Sequence, residues 1–161
     1  METAETIHIE RTYEAPAEAV FDAWTDERVL RRWFHGQRGW TTSEASVDLR
    51  IGGAVRVVMH DPVKGEDHGG GGHYTEVERP TRLAFTWTWD WDDRETLIEI
   101  DFEEGTGGTT VRFTHRNLRD LESAHDHEEG WAVCFDNLER ALAGEPAENA
   151  GEGAESAERG S

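Results

Sequence analysis

The chain has 161 residues, a formal net charge of −19 and 35% hydrophobic residues, which predicts one domain with a single core. So acidic a surface repels phosphate groups, which argues against nucleic acid and anionic membranes as partners. No apolar segment resembles a signal peptide or is long enough to span a bilayer, so we expect a cytoplasmic location without membrane insertion.

The acidity is combined with an unusual choice of basic residue, since Lys64 is the only lysine. A high-GC genome would favour Arg over Lys, and an acidic, lysine-poor surface also suits a salt-rich cytoplasm. We favour the second explanation as a hypothesis, and expect the melting temperature to increase with molar salt because cations screen the mutual repulsion of the carboxylates. A melting temperature that does not increase would contradict this hypothesis.

The chain is predicted to begin with a strand and two short helices. Residues Ile7–Tyr13 alternate between apolar and polar, as in a half-buried strand. Pro16 suits the first turn of a helix, and Asp26 is a good N-cap for a second helix, which Gly36 and Gly39 end. The apolar positions at helical spacing are Val20, Phe21, Trp24, Val29, Leu30, Trp33 and Phe34.

Strands and turns follow. Alternation predicts one strand over Ala45–Leu49 and another over Val55–Met59, with a turn at Gly52–Gly53. The segment Asp61–Glu66 has the composition of a loop.

A run of four glycines, at positions 69–72, precedes a short predicted strand at His73–Val77. The run lacks the Lys-Ser/Thr pair and the helix of a phosphate-binding loop, so we expect a bulge or a mobile pocket rim. In the strand, Tyr74 and Glu76 share one side. We predict that the opposite side faces the core, because this avoids burying Glu76 unpaired.

The next strand is the most aromatic segment of the chain. Because residues two apart share a face of a strand, one side of it is entirely apolar. That side consists of Leu83, Phe85, Trp87, Trp89 and Trp91. A charged hairpin loop is predicted at Asp90–Arg94.

Two further strands and a long helix complete the predicted fold. Alternation puts Thr96, Ile98, Ile100 and Phe102 on the inner face of one strand, and Val111, Phe113 and His115 on that of the next. The helix is predicted to start between Ser123 and Gly130. Its apolar stripe comprises Trp131, Cys134, Phe135, Leu138, Ala141 and Leu142.

This order predicts an α+β helix-grip fold: a curved antiparallel sheet wrapped around the long C-terminal helix, with two short N-terminal helices at one end. The domain is expected to span residues 1–143. Residues 144–161 have no apolar periodicity and are expected to form an acidic, disordered tail.

A single helix rarely fills so wide a concave face, so a pocket is expected between sheet and helix. We predict that it binds a small hydrophobic or aromatic molecule. The candidate ligand-binding residues are Met59, Phe85, Trp87, Trp89, His115, Trp131 and Phe135. His73 or Tyr74 are further candidates for orienting a polar group.

His115 has two interpretations, since its side chain is expected to point inward. It could anchor a ligand or transfer a proton, or it could be a structural histidine satisfied by a neighbouring backbone or hydroxyl group. We favour the structural interpretation.

Other chemistry has weak support in the sequence. The segment His125–Glu129 has metal-ligating residue types, but recognised zinc spacings are absent, so we expect no metal and no cofactor. Cys134 lies on an apolar helical stripe and is expected to be a buried structural thiol.

Several motifs in this order resemble the START-like superfamily of helix-grip proteins, which includes the birch pollen allergen. They include Ala15–Asp26 and Leu30-x-x-Trp33-Phe34. The motifs Asp48–Gly53, Gly72–Val77 and Arg82–Trp87, with Gly130-Trp131 and Asn137-Leu138, resemble the branch named for the activator of the heat-shock-protein-90 ATPase.

The resemblance implies a carrier of apolar ligands. It leaves two alternatives: a cyclase- or hydrolase-like enzyme with His115 as acid or base, and a co-chaperone-type interaction module. The eponymous co-chaperones have an additional N-terminal docking region, which is not expected here. A homodimer is a further possibility.

Overall fold

The computed structural model of the chain describes residues 4–144. The predicted order of one strand, two short helices, six strands and one long helix is confirmed. The elements are β1 (Glu5–Tyr13), α1 (Ala17–Thr25), α2 (Glu27–Trp33), β2 (Thr41–Val47), β3 (Ala54–Asp61), β4 (Glu66–Glu78), β5 (Arg82–Trp89), β6 (Thr96–Gly105), β7 (Gly108–Leu118) and α3 (Leu121–Leu142). The predicted acidic tail, apart from its first residue, lies outside the described residues.

The seven strands form one antiparallel sheet in the order β1-β7-β6-β5-β4-β3-β2. The chain crosses from edge strand β1 to the opposite edge strand β2 through α1 and α2, and returns through successive hairpins. The long helix α3 then packs against β1, β7 and both short helices. This is the predicted α+β helix-grip fold. No helix within residues 4–144 combines the length and apolarity needed to cross a membrane.

The core lies between the inner face of the sheet and α3. Every second residue is buried there from Thr96 to Phe102 in β6 and from Thr109 to His115 in β7, as the alternation predicts. The stripe of α3 contributes Trp131, Cys134, Phe135, Leu138 and Ala141. Full burial of an apolar side chain of this size stabilises the fold by about 1.5–3 kcal/mol.

The two short helices close one end of the grip. The Asp26 carboxylate accepts a hydrogen bond from the Arg28 backbone N–H at 2.9 Å, which confirms the predicted cap of α2. The Trp33 indole N–H donates to the Ala23 carbonyl at 2.9 Å and so fixes α2 against α1. Pro16 is the residue that precedes the first turn of α1.

The expected bulge or pocket rim at the glycine run is wrong: the run lies inside β4, pairs regularly with β3, and does not line the cavity described below. A Cβ at Gly70 would lie 2.8 Å from ring atoms of Trp87, which is fully buried. A Cβ at Gly72 would lie 1.9 Å from the Thr86 carbonyl oxygen. The run is therefore explained by close packing, since only residues without a Cβ let β5 and its indoles approach β4 this closely.

The predicted inner face of the strand after the glycines is wrong at His73 and Thr75, which are exposed, whereas Tyr74 is buried. The pairing of β4 with β5 shifts register between Tyr74 and Glu76. This irregularity lets Tyr74 and the partly buried Val77 both pack against the core. Glu76 accepts a hydrogen bond from Arg82 at 2.7 Å outside the core, so it is not buried unpaired.

Two boundaries also differ from the prediction. The helix α3 starts at Leu121, two residues before the predicted range, because the Asp120 side chain accepts from the Ser123 backbone N–H and caps it. Strand β5 ends at Trp89, and Trp91 lies in the following turn with 60% of its surface exposed.

Candidate functional site

A cavity of about 430 Å³ lies where the end of β5 faces the first half of α3. The loop between α2 and β2 and the loop between β5 and β6 form its other walls. This volume suits a small-molecule site. It is lined by Phe34, Gly36, Gln37, Trp40, Met59, Trp89, Trp91, Asp92, Asp120, Glu122, Ser123, Asp126, His127, Gly130, Trp131 and Cys134.

The inner wall of the cavity is apolar. It consists of the buried side chains Phe34, Met59, Trp131 and Cys134. Phe34 meets the Trp131 ring edge to face at 5.4 Å between centroids. Burial raises the pKa of the Cys134 thiol, so this group is a neutral, apolar part of the wall.

The rim of the cavity is acidic. Its four carboxylates, called the rim carboxylates below, are Asp92, Asp120, Glu122 and Asp126. Within residues 4–144, the side chains that line the cavity include no Lys or Arg. The Arg119 guanidinium lies 2.6 Å from Asp92 and holds the pKa of that carboxyl below its ordinary value.

Four rings form a continuous aromatic ladder beside the rim: Trp40, His68, Trp91 and Trp89. Trp40 stacks on His68 at 5.0 Å and 11° between ring planes, and Trp91 stacks on Trp89 at 4.7 Å and 16°. His68 meets Trp91 edge to face at 5.7 Å. Such pairs contribute about 0.5–1.5 kcal/mol each beyond area burial, so the ladder holds the exposed Trp91 in place.

Two hydrogen bonds fix the orientation and the tautomer of His127 on α3. Its Nδ1 lies 2.8 Å from the Ser123 carbonyl oxygen, which can only accept, so Nδ1 carries the proton. Its Nε2 accepts from the Trp89 indole N–H at 3.0 Å. His127 therefore ties the end of β5 to α3 at the cavity wall.

His115 is fixed as a neutral ring in the core. Its Nδ1 accepts from the Trp131 indole N–H at 3.2 Å, so its Nε2 carries the proton and donates to the Thr96 hydroxyl at 2.8 Å. That hydroxyl in turn donates to the Trp87 carbonyl at 2.8 Å. Burial, with a smaller effect of nearby His127, lowers the pKa of His115 to about 3.

These bonds leave His115 without a free ring nitrogen and with 0% of its surface exposed. A general acid or base must reach the proton that it transfers. The observed hydrogen bonds match the structural interpretation of His115, in which a hydroxyl group, here that of Thr96, is one of its partners. Among residues 4–144, no three His, Cys, Asp or Glu side chains converge as a metal site would require.

Of the seven candidate residues, the cavity brings together Met59, Trp89 and Trp131. The other four lie outside its lining and are buried in the core: Phe85, Trp87, His115 and Phe135. Tyr74 is also buried outside the lining, and His73 is exposed. The ligand-binding role of the candidate residues remains a prediction.

Sequence reasoning missed the polar side of the cavity. Continuing the stripe of α3 backwards from Trp131 in steps of four gives His127 and Ser123, both of which line the cavity. This signal was present in the sequence. Nothing in the sequence indicated that Trp40 and Trp91, which lie outside regular elements, would be stacked beside the rim.

A curved antiparallel sheet that grips a long helix, with an aromatic cavity between them, defines a helix-grip domain of the START-like superfamily. The model of one family, described as activator of Hsp90 ATPase homolog 1-like protein, matches residues 14–143, so the chain belongs to that family. No curated protein is significantly similar to the chain.

Solved structures of bacterial proteins agree with this assignment. The AHSA1-like protein from Aeromonas hydrophila is 30% identical, with a TM-score of 0.72 over 87% of this chain and 93% of that one. The AHSA1 protein from Silicibacter pomeroyi is 29% identical, with a TM-score of 0.76 over 86% and 98%. A putative uncharacterized protein from Rhizobium leguminosarum is 29% identical, with a TM-score of 0.74 over 90% and 99%.

Proposed function

We propose that this protein binds a small hydrophobic or aromatic molecule in the cavity between β5 and α3. The observation that supports the proposal is the cavity itself, whose inner wall is made of buried aromatic and apolar side chains. Burial of apolar ligand surface there would supply the affinity, at about 25 cal/mol for each Å² removed from water. The hydrogen-bonded polar atoms of Ser123 and His127 mark the side where a polar ligand group would lie.

Gly130 supports this role because it lies in the middle of α3 and lines the cavity. Glycine in a helix interior costs about 1 kcal/mol relative to alanine. A Cβ at Gly130 would meet only the Gly36 backbone, at 3.8 Å and 3.9 Å, so packing permits a side chain there. Helix stability alone would favour a residue with a side chain at position 130. Glycine at this position instead leaves that part of the cavity empty.

The test is a titration of the purified protein with lipids, sterols and aromatic compounds, followed by tryptophan fluorescence. We expect a saturable change, because Trp89, Trp91 and Trp131 line the cavity. Native mass spectrometry of the freshly purified protein would identify a molecule that copurifies. The absence of a saturable change with every compound would contradict the proposal.

A cavity-filling variant makes the test specific. Gly130→Met is expected to weaken binding of an identified ligand by about tenfold or more, which corresponds to about 1.4 kcal/mol, because the new side chain occupies part of the cavity. Gly107→Met is the matched control, since Gly107 lies in the β6–β7 turn with open space around it. Equal affinities of the two variants would place the ligand elsewhere.

The co-chaperone alternative has one observation in its favour, the family description itself. It makes a different prediction, an increase in ATP hydrolysis by a purified heat-shock-protein-90 chaperone when this protein is added. Stimulation that Gly130→Met leaves intact would favour the alternative and separate it from ligand binding.

A further inference from the structure

We propose that the ligand is an amphipathic cation, with an aromatic or aliphatic body in the cavity and an ammonium group at the rim. This inference rests on the proposed function and adds the charge of the ligand to it. Two independent features of the cavity support it: carboxylates that have no ion pair within the described residues, and an exposed tryptophan beside them.

The first feature is unpaired negative charge on α3. Glu122 and Asp126 lie four residues apart at the rim, and neither side chain has an ion pair or hydrogen bond within the described residues. Glu122 lies in the first turn of α3, where the helix dipole favours a carboxylate, but Asp126 lies beyond that turn, and like charges four residues apart repel each other. Asp92, by contrast, is paired with Arg119, and Asp120 caps α3. Two rim carboxylates are thus free to receive a cation.

The second feature is the aromatic ladder. The Trp91 ring is 60% exposed and stacks on Trp89, next to the rim. The face of an indole attracts alkylammonium groups through its quadrupole, and it does so best for Trp among the aromatic residues. A cation at the rim would therefore contact both a carboxylate and an indole face.

The same lining disfavours anions. An acidic headgroup at the rim would face the two unpaired carboxylates, and the Arg119 guanidinium beside the rim is already paired with Asp92. Both ring nitrogens of His127 are already hydrogen-bonded, to the Trp89 indole and to the Ser123 carbonyl, so neither is available to an anion. A neutral ligand would gain from the apolar wall alone, and a cation with the same body would gain from the rim as well.

The test compares three probes that share one body and differ in charge: 1-naphthylmethylammonium, 1-naphthalenemethanol and 1-naphthoate. Affinities are measured by isothermal titration calorimetry at constant, moderate ionic strength. We expect the ammonium compound to bind about tenfold more tightly than the alcohol, and the carboxylate to bind most weakly.

Two double variants separate the rim from the general acidity of the protein. Glu122→Gln with Asp126→Asn removes the unpaired rim carboxylates and is expected to reduce the preference for the ammonium probe to about twofold, with the alcohol unaffected. Glu128→Gln with Glu139→Gln removes the same charge from α3 at exposed positions outside the lining, and is expected to retain the preference.

The outcomes distinguish the two proposals. Equal binding of alcohol and ammonium, tighter binding of the carboxylate, or an equal loss of preference in both double variants would overturn the inference while leaving a ligand-binding cavity. If none of the probes binds and no compound of the wider panel does, the proposed function fails, and the inference fails with it.

Discussion

Acidification from pH 7 to pH 5 is expected to lower the free energy of unfolding by about 4 kcal/mol, because two buried histidines stay neutral in the folded protein. Burial lowers the pKa of His115 to about 3 and that of His35 to about 4. In the unfolded chain both are expected to titrate near 6.5. Below that pH the unfolded state binds about two more protons than the folded state, so stability decreases as pH falls.

The loss is confined to a defined range of pH. It begins near pH 6.5 and continues to about pH 4 for His35 and about pH 3 for His115. Several carboxylates with lowered pKa values, such as Asp90 beside Arg56, lose their stabilising charge at lower pH than this. The loss of unfolding free energy between pH 7 and pH 5 is therefore caused mainly by His35 and His115.

Urea unfolding at pH 7 and pH 5, at one ionic strength, measures this difference. His35→Gln removes one of the two groups and is expected to halve the difference to about 2 kcal/mol. Ile98→Val is the control: Ile98 pairs with His115 across β6 and β7, and its truncation costs about 1 kcal/mol without removing a titratable group. The pH dependence should be unchanged in the control, and an unchanged dependence in His35→Gln would refute the explanation.

The fold was predictable because its elements bury one face with a regular period. The alternation in β6 and β7 and the three- and four-residue spacing in α3 both match the observed burial. Once the elements and their order were known, one long helix was available to cover a seven-stranded sheet, and the helix-grip arrangement followed.

The error in β4 shows that alternation does not predict the inner face of a strand whose pairing is irregular. An irregularity between Tyr74 and Glu76 shifts the pairing, so the residues on either side follow different phases of the alternation. The sequence argument assumed one phase and therefore placed His73 inward instead of Tyr74. No local signal distinguishes the two cases, because the irregularity depends on how β4 pairs with β5.

The site was predictable only in part, for a related reason. Strand alternation identifies inward-facing residues such as Phe85 and Trp87, but it does not distinguish residues that pack against α3 from those that border empty space. That distinction depends on where the helix approaches the sheet. The cavity lies at the end of β5, where irregular segments supply Trp40 and Trp91, whose positions only the tertiary structure defines.

Replacement of Gly72 by alanine is expected to lower the free energy of unfolding by about 3 kcal/mol, at the upper end of the usual cost of overpacking. The added Cβ would lie 1.9 Å from the Thr86 carbonyl oxygen and 2.5 Å from the Thr86 hydroxyl oxygen. That hydroxyl accepts a hydrogen bond from the His73 backbone N–H at 3.0 Å. Since both obstructing atoms are part of β5 or fixed to it, relief requires the two strands to separate.

Separation of the strands would also disturb the cavity, because Thr86 is adjacent to Trp87 and three residues from Trp89, which lines the cavity. We therefore expect Gly72→Ala to weaken binding of any cavity ligand as well as to lower the midpoint of urea unfolding. Gly107→Ala introduces the same methyl group with open space around it and is expected to change stability by less than about 0.5 kcal/mol. If the two variants were equally stable, close strand packing would not be the reason for glycine at position 72.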